Sequence, residues 1–188
     1  MTVVFSFVGR KRPIDEWDFL FNELGCTNVS FKDDNKTWYL DPNFKNQIQD
    51  KLDKHGPPDI SFGQSMGGWA ALYYQPQIQA NQIIAFNPQA TTISKEIKDI
   101  GGEKSNQWAI DLENINGCRL PSPDGRATVY FGNHKENGLG DHGHRLIIES
   151  AGYKTTILNT IKPWSHNIIG ILHHEGRLLD IMRQHIKT

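Results

Sequence analysis

The chain has 188 residues, with 20 Lys and Arg against 21 Asp and Glu and a formal net charge of -1. That length suits one well-buried domain, and the even charge balance offers no basic field for a phosphate backbone, which argues against a nucleic-acid partner. A mean hydropathy of -0.54, with no apolar run near the roughly 18 residues a bilayer demands, argues against a membrane role.

The opening "MTVVFSFVGRKR" is apolar first and basic second, the reverse of a secretory signal. It reads as a buried first strand over 3–8. A helix is expected from about Ile14 to Leu24, where Trp17, Leu20, Phe21 and Leu24 recur at three- and four-residue steps, and Gly25 caps it. "NVSF" at 28–31 is a weak second strand. Phe44, Ile48 and Leu52 form the stripe of a helix that closes before "HGPPD". "DISFG" at 59–63 is the third strand, with "MGGWAALYY" as its helix. "QIIAF" at 82–86, "ATVYF" at 127–131 and "TTILN" at 155–159 supply three more strands. A helix follows Asp141, and a last one runs from Asn167 through Ile168, Ile171, Leu172, Leu178, Leu179 and Met182. The long stretch 88–126, with "KDIGGEKSNQ" and "RLPSPDGR", reads as irregular and as a short lid.

Strands that alternate with helices at this spacing predict an α/β fold, a single domain over 1–188. It is a three-layer sandwich with a mainly parallel sheet of about six strands and helices on both faces. Ligands collect at the carboxyl ends of such strands, where the strand order reverses. With the order 2-1-3-4-5-6, that point falls between the first and third strands.

The segment "DISFGQSMGGWAAL" sets Ser65 in Gly-x-Ser-x-Gly between a predicted strand and a predicted helix, the turn that exposes a nucleophile. Gly63 and Gly67 permit the tight geometry, and Gly68 lets the helix pack close. The bland alternative is a helix N-cap serine. A serine nucleophile needs a base, an acid to orient the base, and oxyanion donors. Met66 N–H at the helix start is one candidate donor, and the loop after the first strand, through Gly9 or Arg10, is the other. Among eight histidines, His166 follows the last strand and precedes the last helix, so it is the candidate base. His55, His173 and His174 read as surface or packing residues.

Asp141 and Glu136 both qualify as the acid. Asp141 is favoured, because it opens a helix after a glycine-rich approach. His134, Asp141, His142 and His144 also look like metal ligands, but no second cluster completes a four-ligand set. No metal and no cofactor is expected. Gln64, Trp38 and Tyr39 are candidate substrate contacts, while Met66 and Trp69 read also as core. Cys26 and Cys118 are too few for a disulfide scaffold and lack zinc-site spacing, which points to a reducing, cytoplasmic setting.

These residues resemble the α/β-hydrolase superfamily over nearly the whole chain, with Gly63-Gln64-Ser65-Met66-Gly67 as the elbow, Asp141 as the acid and His166 as the base. More narrowly, "FKDDNKTWYLDP", "GQSMGGWAALYY", "IIAFNPQAT" and Asp141-x-x-His144 are similar to a compact, cap-less bacterial branch of largely uncharacterised serine hydrolases. The resemblance implies a reduced α/β-hydrolase fold that lacks the two leading strands usual in the superfamily. Ser165 stands where many members carry a glycine before the histidine. The expected activity is hydrolysis of a small-molecule ester or thioester, or of an acylated glycan, through an acyl-enzyme. An acyltransferase with the same residues and a non-catalytic binding or scaffold module are the alternatives.

Overall fold

A computed structural model describes residues 1–9, 12–34, 37–101, 103–133, 140–162 and 165–186, with 103–105 described along the backbone alone. Arg10, His134 and Glu136, all named above, lie outside the described residues.

Alternation along the strands creates the layers. On β1 (Val3–Val8), Phe5 and Phe7 point to one side of the sheet and Val4 and Val8 to the other, the period of two that a pleated backbone imposes. The strands β2 (Thr27–Lys32), β3 (Ile60–Gln64), β4 (Gln82–Phe86), β5 (Ala127–Gly132) and β6 (Thr155–Leu158) complete one sheet. Its order is β2-β1-β3-β4-β5-β6. Every neighbouring pair is parallel, with registers such as Phe5↔Ser61 and Phe62↔Ile84.

The Phe5 and Phe7 side is covered by α2 (Phe44–His55), α3 (Met66–Tyr73) and α7 (Asp141–Ser150), which contribute Phe44, Ile48, Trp69 and Ile148 to its core. Aromatic packing dominates there. Phe7 stacks on Phe31 at 5.1 Å and meets Tyr39 edge-on at 5.5 Å. Each such buried ring contributes about 1.5–3 kcal/mol relative to exposure. The other side is covered by α1 (Asp18–Glu23), α8 (Ile168–His174) and α9 (Leu178–Arg183), through Leu20, Phe21, Ile168, Leu172, Leu178 and Met182.

Three details depart from the sequence reading. The 88–126 stretch is not irregular throughout, because it holds α5 (Ser94–Ile100) and α6 (Glu103–Asp111). After α3 the chain forms a separate short α4 (Gln75–Ile78). The C-terminal apolar run is two helices instead of one. Gly176 breaks it at φ 71°, a left-handed conformation that glycine adopts without a Cβ penalty. No helix among the described residues is long and apolar enough to cross a membrane.

Because β1 has β2 on one side and β3 on the other, the strand order reverses there, and the loops after β1 and β3 open a crevice at the carboxyl edge.

Candidate active site

That edge holds a cavity of about 860 Å³, reached by Gly9 after β1, Ser65 after β3, Gln89 after β4 and His166 after β6. The turn at Ser65 is tight on both sides. A Cβ on Gly63 would lie 2.3 Å from the Gly67 carbonyl, and one on Gly67 would lie 2.3 Å from the Phe7 carbonyl oxygen. Only glycine fits at either position. Ser65 takes φ 57° and ψ -121°, a strained conformation for a residue with a side chain. Its N–H donates to the Phe86 carbonyl at 2.9 Å, which ties the turn to β4.

The loop between β6 and α8 brings His166 over this turn. Its Nε2 lies 2.6 Å from Ser65 Oγ, and its Nδ1 lies 2.6 Å from Asp141 Oδ1. A carboxylate only accepts, so Nδ1 carries the imidazole proton and Nε2 accepts from the serine hydroxyl. Asp141 is 2% exposed at the first position of α7, where the helix dipole favours negative charge. The His166 carbonyl is gripped from below by Asn87 Nδ2 at 3.0 Å and Gln64 Nε2 at 3.4 Å. Gln64 also reaches Asn167 Oδ1 at 3.1 Å and accepts from Ile169 N–H at 3.3 Å, so it braces the His166 loop as well as lining the cavity.

Met66 is the first residue of α3, so its N–H has no acceptor within the helix and lies beside the serine. Gly9 differs. Its N–H donates to the Glu16 carboxylate, a cavity-lining group that burial pushes above the ordinary carboxylate value against the opposing pull of Arg12 at 3.3 Å and of that N–H.

Trp38 lines the cavity, but Tyr39 does not. Tyr39 is fully buried, with its hydroxyl donating to the Val8 carbonyl and its own carbonyl receiving the Tyr74 hydroxyl. That is a correction to its expected place at the pocket. Both residues adopt left-handed backbone, φ 55° and 62°, so the anchored Tyr39 fixes Trp38 at the wall. Trp108 on α6 faces it, 6.4 Å from Trp38 and 5.3 Å from the His166 ring. The sequence reading missed Trp108, because it sits in the stretch taken as irregular. It missed Asn87 and Gln89 too, although their position just after β4 was a usable signal.

His144 lies behind the site. It is 1% exposed, its Nδ1 accepts the Ala90 N–H at 3.0 Å, and its ring is 5.8 Å from Trp108. Burial pushes it down to about 4, with Asp141 opposing and His166 adding to the shift, so it is neutral at physiological pH. His142 Nδ1 lies 3.2 Å from the Arg145 guanidinium. Among the described residues no three His, Cys, Asp or Glu side chains group as metal ligands. Cys26 and Cys118 are unpaired.

No family model and no curated protein matches the chain. Several solved structures do. The capsule O-acetyltransferase of Neisseria meningitidis serogroup A is 17% identical, with a TM-score of 0.62 over 97% of this chain and 87% of the other. An S-formylglutathione hydrolase from Staphylococcus aureus is 10% identical, with a TM-score of 0.61 over 100% and 84%. A hydrolase of the α/β superfamily from Xanthomonas campestris is 10% identical, with a TM-score of 0.55 over 99% and 100%. At such identities the likeness concerns architecture, and the one it establishes, with the six-stranded parallel sheet and its flanking helices, is the α/β-hydrolase fold.

Proposed function

We propose that the chain is a serine hydrolase that cleaves a carboxylic ester or thioester through an acyl-enzyme, without a cofactor. The observation that carries this reading is the continuous relay from Ser65 Oγ through His166 to Asp141, with both links at 2.6 Å. Ser65 Oγ attacks the acyl carbon while its proton passes to His166 Nε2, and Asp141 holds the ring and stabilises the imidazolium. The imidazolium then protonates the departing alcohol or thiol. Water repeats the sequence in reverse and frees the acid. Met66 N–H is the oxyanion donor this reading relies on. Gly9 would join only by releasing Glu16, and Arg10 remains a candidate from the same loop.

Trp38 and Trp108, with the carboxamides of Gln64, Gln107 and Asn167, give the cavity the mixed aromatic and polar wall that suits a small acyl group on a sugar. An acylated glycan is therefore the preferred substrate, with 88–126 serving as a partial lid that carries Trp108. An acyltransferase is the second reading, in which a sugar hydroxyl replaces water. It is favoured by the structural likeness to an O-acetyltransferase. The unpaired cysteines fit a reducing, cytoplasmic setting.

A fluorophosphonate probe with intact-mass readout tests the core of the proposal. The wild type should take one label and Ser65→Ala none. An unlabelled wild type would overturn the reading in favour of a binding module, and activity that survives Ser65→Ala but not a chelator would replace it with metal chemistry. Screening p-nitrophenyl esters against acyl-CoA and acetylated sugars separates hydrolase from transferase.

A further inference from the structure

The segment that follows β4, Asn87-Pro88-Gln89-Ala90, is fixed on both sides of Gln89. Asn87 N–H donates to the Tyr130 carbonyl at 2.8 Å, its Oδ1 takes the Gly132 N–H at 3.1 Å, and its Nδ2 holds the His166 carbonyl. Ala90 N–H is anchored on His144. Between these anchors Gln89 is 1% exposed, and its Nε2 lies 3.1 Å from Ser65 Oγ. Its Oε1 is buried with no hydrogen-bond partner among the described residues, an unfavourable situation that a merely structural glutamine would have no cause to retain. Serine, imidazole and carboxylate already form a complete relay, so nothing in that relay requires a carboxamide on Oγ.

Resting on the acyl-enzyme reading, we propose that Gln89 is a further catalytic residue, donating its Nε2–H to Ser65 Oγ as that oxygen leaves the acyl carbon. Ser65 has one proton and directs it to His166, so a second polar neighbour of Oγ has to be a donor. In the breakdown of the acyl-enzyme, the oxygen of water bonds to the acyl carbon and its proton passes to His166 Nε2. The tetrahedral centre then collapses. The C–Oγ bond breaks, its electron pair stays on Oγ, and the imidazolium proton follows. Negative charge develops on Oγ during that collapse, and a donor already aimed at it stabilises the charge with no reorganisation.

The test uses p-nitrophenyl acetate, with rapid-quench intact mass to follow the acetyl-enzyme and fluorophosphonate titration to count competent sites. Gln89→Met keeps the length and removes the donor. Formation of the acetyl-enzyme should change little, and its breakdown should slow about ten- to a hundred-fold, as expected for a lost hydrogen bond to a developing charge. Acetyl-enzyme would then dominate the steady-state mass spectrum. Gln89→Glu keeps the shape but presents an acceptor to Oγ, and should show the same slow breakdown at neutral pH; it carries the test if the methionine variant does not fold. Wild-type breakdown rates in both variants would overturn the proposal, as would an equal loss of formation and breakdown at fully titratable sites. A wild type that never forms acetyl-enzyme and does not react with fluorophosphonate overturns the underlying reading instead.

Discussion

Replacing His144 by Asn should remove a specific piece of the protein's acid sensitivity. The buried imidazole accepts the Ala90 N–H and is flanked by Trp108, Asp141 and His166. Burial lowers it from 6.5 to about 4, so between those values the unfolded chain takes up a proton that the folded protein refuses. The stabilisation is complete above about pH 6.5 and is lost as the pH falls toward about 4. At about 1.4 kcal/mol for each pH unit between those two values, the loss comes to about 3–4 kcal/mol. Asn places an acceptor near the position of Nδ1 but does not titrate. Urea unfolding followed by tryptophan fluorescence, from about pH 7 down to about pH 4, should find the wild type more stable at the upper end and the two proteins converging at the lower. Glu16 and His185 also titrate abnormally in or near this window, raised and lowered by burial respectively. They are common to both proteins and cancel in the difference. A gap that stays constant across the range would refute the argument.

Three other outcomes follow from the geometry. Gly67→Ala drives a methyl to 2.3 Å from the Phe7 carbonyl oxygen between fixed elements, and should cost about 3 kcal/mol or more in a thermal melt; an unchanged melting temperature would show that the turn can yield. Asn87→Ala removes the shorter of the two hydrogen bonds to the His166 carbonyl and the side-chain acceptor of the Gly132 N–H, and puts alanine at φ 39°. It should lose about 1–3 kcal/mol of stability, with a fall in ester turnover beyond what the unfolded fraction explains. Trp108→Ala opens the wall over His166. It should raise KM for an aryl ester, with fluorophosphonate labelling of Ser65 retained, and an unchanged KM would remove Trp108 from the binding surface.

Much of the fold was legible because its signals are local. Alternation in "VVFSFV", the short apolar runs and the helical stripes between them follow from residues adjacent in sequence, whereas the strand order entered as an assumption that the sheet matches, since the rules for parallel sheets narrow the order without fixing it. The meeting of Ser65, Asp141 and His166 was legible for a related reason, since each follows a strand and all such loops share one edge of the sheet. What escaped depends on contacts between distant segments. Leu172 and Leu179 pack on one core at the i, i+7 spacing of a helix, so the pattern runs unbroken across Gly176 although the backbone does not. In α5 only Ile97 is buried, too little for a stripe. Nothing in the pair Trp38-Tyr39 says which ring faces the cavity, because the Val8 and Tyr74 bonds decide it. The hold of Glu16 on the Gly9 N–H is likewise a tertiary event.

The elbow backbone at φ 57° sets chemistry and durability against each other. The position would rather be glycine, since a side chain there costs about 1–3 kcal/mol that the surrounding sheet must absorb. Ser65→Gly should therefore melt at a higher temperature than the wild type while losing its reactivity. A screen that rewards heat resistance alone would tend to erase the serine first, and any programme to harden this protein has to select for turnover at the same time.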